Sequence, residues 1–276
     1  MERFVWKFKE TSFAGYHWRP QQYDYVVILV HGIGEYAGRY KHVAAFFNRQ
    51  NIAVTSIDLY GHGYSDGQRG ASKGLVFSLE YLSAFINTSI KEYKCPAILY
   101  GHSMGGGLAA GLLLRKKTDI AAAILTSPGL VVAQMPRLKE KLLCMANFIV
   151  PNLRISQGFQ LEKITRNTEA VNAFRNDPAT HGMVSIRLAY EMICNGRWCI
   201  ANAHRLKHKT LLIHGTCDHF TNINGSREFA AGANKTALSF IEWPGGYHEL
   251  HNEPDAAAFF DRVIQWLKET KVLQGD

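Results

Sequence analysis

Short runs of β-branched and aliphatic residues recur along this chain, each closed by a glycine-rich or polar turn: "YVVILVHG", "IAVTSIDLYGHG", "AILYGHS", "AAAILTS", "TLLIHGTCD" and "ALSFIEWPGG". They are almost continuously apolar, which is the pattern of strands covered on both faces. Helical spacing of apolar positions marks the segments between several of them, including "RYKHVAAFFNRQ", "LVFSLEYLSAFINTSIKEY" and "DAAAFFDRVIQWLKET". Strand alternating with helix predicts an α/β fold, a doubly wound and mostly parallel sheet with helices on both faces. At the N-terminus, "RFVWKFKE" and "GYHWRP" predict an antiparallel hairpin at one edge of that sheet.

The rhythm fails between about Ser127 and Lys209, where the chain turns helical and irregular around its most apolar part, "MPRLKEKLLCMANFIVPNL". An insertion of that size after a core strand predicts a cap over one end of the sheet. Residues 1–127 and 210–276 are therefore expected to form the core, and residues 128–209 the cap.

Composition narrows this picture. With 276 residues, 47% of them hydrophobic and 20% charged, the chain can bury a large core. No run of about 18 uncharged apolar residues marks a transmembrane helix. The opening "MERFVWKFKE" alternates apolar and charged residues, as a strand does and a signal peptide does not. Five scattered cysteines (Cys95, Cys144, Cys194, Cys199 and Cys217) fit free thiols in a reducing, cytoplasmic setting. The net charge of +8 is dispersed without a basic block, so nucleic acid is not an expected partner.

The candidate chemistry starts at "ILYGHSMGGGLAAGLLL". In an open parallel sheet, ligands bind beyond the carboxyl ends of the strands. "GHSMG" sits at such an end with the form G-x-S-x-G, a sharp strand-to-helix turn that exposes a serine hydroxyl. Ser103 is the predicted nucleophile. A serine needs a base and the base an orienting acid, in the chain order Ser, Asp, His. "LLIHGTCDHF" puts Asp218 just past a later strand, and "SFIEWPGGYHEL" puts His248 just past the last one. Two backbone N–H groups should hold the developing oxyanion, from Met104 after the nucleophile and from Ile33 in "HGIG".

Competing residues fit less well. Asp58 precedes the serine, Glu242 lies inside a strand, and His251 falls one turn beyond His248. His31 and His102 are expected to be structural. "HGTCDH" holds metal-ligand types (His214, Cys217, Asp218, His219), but strand-end geometry should splay them apart. "HRLKH" puts His204 and His208 at helical spacing on an expected exposed face. "GHGYSDG" lacks dinucleotide and phosphate-loop spacing. Neither a metal nor a cofactor is expected.

"HGIGEYAGRY", "DLYGHGYSDGQRG", "GHSMGGG", "RNDPATHG", "GTCDHF" and "GGYHELHNE" together resemble the monoglyceride lipase and lysophospholipase group of α/β-hydrolases, of the serine aminopeptidase S33-like type. The resemblance runs from about residue 25 to the C-terminus. It implies an α/β-hydrolase fold with a helical cap, and a carboxylester hydrolase of single-chain lipids using Ser103, Asp218 and His248. It also places Arg39 and His251 near the leaving alcohol and Phe174 among the substrate-binding residues; Glu35 is expected to join them on the head-group side. Phe174 stands where lipase members of the group carry a tyrosine, and "SPGLVVAQMPR" lacks the acid expected soon after the "SP" turn. A peptidase or thioesterase would use the same three residues. A non-catalytic binding protein of this fold would have lost at least one of them, and none is lost. The basic residues Arg137, Lys139 and Lys141 before "LLCMANFIV" suggest a cap helix that touches a membrane surface.

Overall fold

The computed structural model of the chain describes residues 1–131 and 137–273. Met135 and Pro136 of the apolar stretch, and the side chains of Arg137 and Leu138, lie outside what it describes. The strands β1 (Glu2–Phe8) and β2 (Thr11–Trp18) pair antiparallel as the expected edge hairpin, from Glu2 opposite His17 to Phe8 opposite Thr11. β3 (Tyr25–Val30), β4 (Ile52–Ile57), β5 (Ala97–His102) and β6 (Ala122–Thr126) follow. β7 (Arg154–Ser156) and β8 (Met183–Ser185) pair with each other, outside the main sheet. β9 (Thr210–Gly215) and β10 (Leu238–Trp243) complete an eight-stranded sheet of order β1-β2-β4-β3-β5-β6-β9-β10. From β4 onward every neighbouring pair is parallel.

Both faces of the sheet's inner strands are covered, which is why β3, β5, β6 and β9 carry no polar alternation, whereas the edge strand β1 does. In β3, Val26, Ile28 and Val30 face one core and Val27 and Leu29 the other. The first core is closed by α2 (Leu75–Tyr93), α3 (Met104–Arg115) and α7 (Ile223–Gly232), through residues such as Leu82, Leu112 and Phe229. The second is closed by α1 (Lys41–Asn48) and α8 (Ala256–Glu269), through Val43, Phe47, Val263 and Trp266. Each such side chain gains about 1.5–3 kcal/mol on burial.

Between β6 and β9 the chain leaves the sheet and forms α4 (Arg137–Ile149), α5 (Thr168–Asn176) and α6 (Ile186–Ala201). Side chains start two of these helices: Asn167 accepts from the N–H groups of Glu169 and Ala170, and Ser185 accepts from that of Leu188. α4 leaves much of its apolar surface uncovered, with Phe148 80% and Ile149 75% exposed. None of the described helices is long and apolar enough to cross a membrane.

One expectation fails here. His204 and His208 share no helix face, because the chain extends after Arg205 towards β9. His208 instead reaches the Thr118 carbonyl at 3.0 Å, while His204 is exposed.

Candidate active site

The parallel register sends the loops after β3, β5, β9 and β10 to one end of the sheet, where the chemistry gathers. Ser103 sits between β5 and α3 at φ 53° and ψ −120°, a strained conformation for a residue with a side chain. Local packing imposes it. A Cβ at Gly101 would lie 2.8 Å from the Gly105 carbonyl, and one at Gly105 would overlap the Val30 and His31 carbonyls. The Ser103 N–H donates to the Thr126 carbonyl, and its own carbonyl accepts from Gly107 and Gly129, so the turn is held on both sides.

His248, in the loop after β10, places Nε2 2.9 Å from the Ser103 Oγ and Nδ1 2.7 Å from Oδ2 of Asp218. All three side chains are nearly closed off from solvent. Asp218 receives further donors. Its Oδ1 accepts from the N–H groups of Phe220 and Thr221 at 2.7 and 3.0 Å, and its Oδ2 from the Thr221 hydroxyl at 2.7 Å. Burial works against the charged carboxylate, but the facing His248 and His214 outweigh it and hold the Asp218 pKa well below the ordinary range. At His248, burial disfavours the imidazolium, whereas Asp218, Glu249 and Glu35 together raise its pKa above the usual value. The Phe220 ring stacks on the imidazole at 5.2 Å and helps fix its plane.

The N–H groups of Ile33 and Met104 have no hydrogen-bond partner among the described residues. That of Met104 is the first of α3, one of the donors a helix start leaves unpaired. The loop bearing Ile33 is held by Glu35, whose Oε1 accepts from the Gly32 N–H at 2.6 Å and the Tyr40 hydroxyl at 2.7 Å.

Glu35 lines the cavity around Ser103, but its carboxylate is fully engaged, since its other oxygen binds Arg39. Arg39 also spans to Glu249 with bonds of 2.8 and 3.1 Å, and its guanidinium lies 4.5 Å from the ring centre of Phe174. Burial alone would lift both carboxyl pKa values. Arg39 reverses this at Glu249, which is held well below the usual range, whereas at Glu35 burial and the Glu249 charge keep it raised. His251 lies in a helical turn with its ring stacked on Tyr40 at 5.0 Å. It lines an outer cleft with Arg39 and His42, rather than the cavity around Ser103.

The competing residues are committed elsewhere. Asp58 accepts from the N–H groups of Ala37 and Tyr64, and burial lifts its pKa to about 6. Glu242 pairs with Arg227 at the surface. His31 bonds the Gly32 carbonyl and accepts from the Leu59 N–H, while His102 bonds the Thr126 hydroxyl. The splaying expected of "HGTCDH" holds for the exposed Cys217 and His219, but His214 turns inward to within 3.1 Å of Asp218. Glu35, His102 and Glu249 are the one described group whose metal-ligand atoms lie within 4.8 Å of one another, and the Arg39 guanidinium already bridges its two carboxylates.

The sequence marks His214 only as a metal-ligand type in "HGTCDH", and does not single out Thr221 or Glu249. Glu249 adjoins His248 in "HELH" and was open to notice; Thr221 and His214 matter through contacts that only folding creates.

A sheet of this order, with a serine in a positive-φ turn after its central strand and a histidine–aspartate pair on two later strand ends, is the architecture of the α/β-hydrolases. The family model of the serine aminopeptidases of type S33 matches residues 21–255. The chain belongs to that family. It is 29% identical over 247 residues to a monoacylglycerol lipase of Mycolicibacterium smegmatis, covering 88% of this chain and 87% of that one. An abhydrolase domain-containing protein of Dictyostelium discoideum is 32% identical over 248 residues, which are 88% of this chain but only 26% of that protein. Among solved structures, the monoacylglycerol lipase of Paleococcus ferrophilus superposes with a TM-score of 0.85 at 26% identity, covering 98% of this chain and all of that one.

Proposed function

We propose that this protein is a serine carboxylester hydrolase of single-chain lipid esters, working through an acyl-enzyme. The observation that carries the reading is the unbroken path from Ser103 through His248 to Asp218 at the mouth of an apolar cavity. His248 takes the Ser103 proton as Oγ attacks the ester carbonyl, and the Ile33 and Met104 N–H groups receive the oxyanion. His248 then returns the proton to the leaving alcohol, and water releases the acyl group by the same steps. Residues 128–209 form the cap in this reading, over a core of residues 1–127 and 210–276.

Ile33, Phe159, Ile164 and Phe220 give the cavity an apolar wall. Met192 lines both this cavity and a second one bounded by Leu59, Leu75 and Leu108, a path for one acyl chain. Both carboxylates lining the Ser103 cavity away from Asp218, Glu35 and Glu249, are bound by Arg39. Neither is free to pair with a peptide amino terminus, which favours an ester over an aminopeptidase substrate. On the alcohol side Phe174 offers no hydroxyl, so the leaving group is held loosely and both monoacylglycerol and lysophospholipid are turned over.

Each buried methylene contributes about 0.8 kcal/mol. In a series of p-nitrophenyl esters, kcat/KM should therefore rise about tenfold or more between acetyl and medium-chain esters. Fastest turnover on the acetyl ester would overturn the lipid reading. A preference beyond about a thousand-fold between monoacylglycerol and lysophosphatidylcholine would overturn the permissive alcohol side.

The exposed face of α4 is proposed to rest on the lipid surface that supplies the substrate. Leu142, Met145, Phe148 and Ile149 are exposed beside Lys139 and Lys141, a basic and apolar helix suited to a membrane interface. Burying one such side chain is worth about 1.5–3 kcal/mol, so Phe148→Asp should weaken partitioning to anionic vesicles at least tenfold in sedimentation. Equal partitioning of variant and parent would leave α4 a cover for the cavity alone.

A further inference from the structure

His214, the fifth residue of β9, is fully buried and four positions before Asp218. Strand alternation turns it with Leu212 towards the α7 face, while Leu211 and Ile213 face the opposite core. The chain folds back after Gly215, so Asp218 Oδ2 comes to 3.1 Å from the His214 Nε2, with the Thr221 hydroxyl 3.2 Å from the same nitrogen. On the other side of the ring, Nδ1 lies 2.7 Å from the Oγ of Ser226, a buried residue of α7.

These contacts select one tautomer. A proton on Nδ1 would leave the Nε2 lone pair facing a carboxylate oxygen inside the protein, two acceptors at hydrogen-bond distance with nothing between them. With the proton on Nε2, His214 donates to Asp218 and its Nδ1 accepts from the Ser226 hydroxyl, so both ring nitrogens are satisfied. We propose that His214 is a positioning residue of the hydrolytic site: oriented by Ser226, it donates from Nε2 to the carboxylate that aligns His248. The proposal rests on the catalytic reading of Ser103, Asp218 and His248 given above.

The geometry makes Oδ2 the meeting point of three side-chain donors, His248, His214 and Thr221. Each donor disperses carboxylate charge, so His214 does two things. It fixes the carboxylate plane against which Nδ1 of His248 is aligned, and it limits how strongly Asp218 draws a proton onto His248. Loss of the His214 donor leaves Asp218 more basic towards His248, and the neutral, active form of His248 is then reached only at higher pH.

The other charged and titratable groups facing His248 are His102 of β5, Glu35 after β3, and Glu249 and His251 of its own segment. Those facing His214 are Asp218 and, from β10, Glu242. Of all these groups, only Asp218 bonds both His214 and His248, so the effect of changing His214 reaches His248 through that carboxylate.

The test compares His214→Leu, His214→Gln and Ser226→Ala on one medium-chain p-nitrophenyl ester across pH 5–9. The side-chain amide of His214→Gln can still donate to Asp218. We expect kcat of His214→Leu to fall about ten- to a hundredfold with KM nearly unchanged, as for a misaligned catalytic group. Its acid limb should move up by about half a unit or more. Ser226→Ala should move the limb in the same direction by less, and His214→Gln should recover most of the activity. An unmoved acid limb in both His214→Leu and Ser226→Ala would overturn the proposal, as would equal losses in the Leu and Gln variants. Should His214→Leu fail to fold, Ser226→Ala and His214→Gln carry the decision, since neither opens a large cavity. The Ser103→Ala control separates the two levels. Activity retained there refutes the catalytic reading, whereas a silent Ser103→Ala beside an unmoved limb refutes only the role of His214.

Discussion

Ser103→Ala is expected to leave the fold standing and to remove ester hydrolysis, lowering kcat by about a million-fold. The size of the effect follows from the arrangement. His248 has its Nε2 on one hydroxyl, that of Ser103, and no second hydroxyl of the described residues takes its place there. The turn itself should tolerate the change, because the bonds holding it run through the backbone: the N–H to Thr126 and the carbonyl to Gly107 and Gly129. Alanine also bears the same Cβ at φ 53°, so it adds no strain that serine lacks. The measurement is turnover of a medium-chain ester beside a thermal melt, with fluorophosphonate labelling as a second readout. Labelling of the parent and none of the variant is the expected pair. Residual turnover above about a hundredth of the parent, in a folded variant, would refute the nucleophile assignment.

Asp218→Asn should cost about ten thousand-fold in kcat with little change in structure. The reason lies in which atoms face which donors. At Oδ1 the side chain meets the N–H groups of Phe220 and Thr221, which demand an acceptor, so the new carboxamide keeps its oxygen there. The NH2 group must then take the Oδ2 position, where its two protons meet Nδ1 of His248, Nε2 of His214 and the Thr221 hydroxyl, all of which donate to the parent carboxylate. His248 can answer only by moving its proton to Nε2, which faces Ser103, and a protonated Nε2 cannot accept the serine proton. The variant should also lose the charge that raises the His248 pKa, so the small remaining activity should persist to lower pH than in the parent. A variant retaining more than about a tenth of parental kcat would mean that another acid serves His248.

Much of this could be read along the chain because the informative patterns are local. A strand covered on both faces must be apolar at consecutive positions, so "YVVILV" and "TLLIHG" announce β3 and β9 wherever they stand. A serine in a strand-to-helix turn must have small neighbours, so "GHSMG" announces the turn at Ser103. Asp218 and His248 are legible through their order and their strand-end positions, two constraints that any parallel sheet imposes.

Contacts between segments distant in sequence were not open to the same reading. Arg39 looked available to a substrate until folding set it between Glu35 and Glu249, 210 residues away from the latter, and over the ring of Phe174. His214 looked like a strand residue in a cluster that would splay apart, and only the reversal of the chain after Gly215 brings it onto Asp218. The sequence by itself determined which elements form and which end of the sheet gathers Ser103, Asp218 and His248, because strand and turn propensities depend on neighbours a few residues apart. The tertiary structure alone decided which charges meet and how Asp218 is held, because a buried hydrogen bond depends on positions fixed to within a few tenths of an ångström by packing from every side.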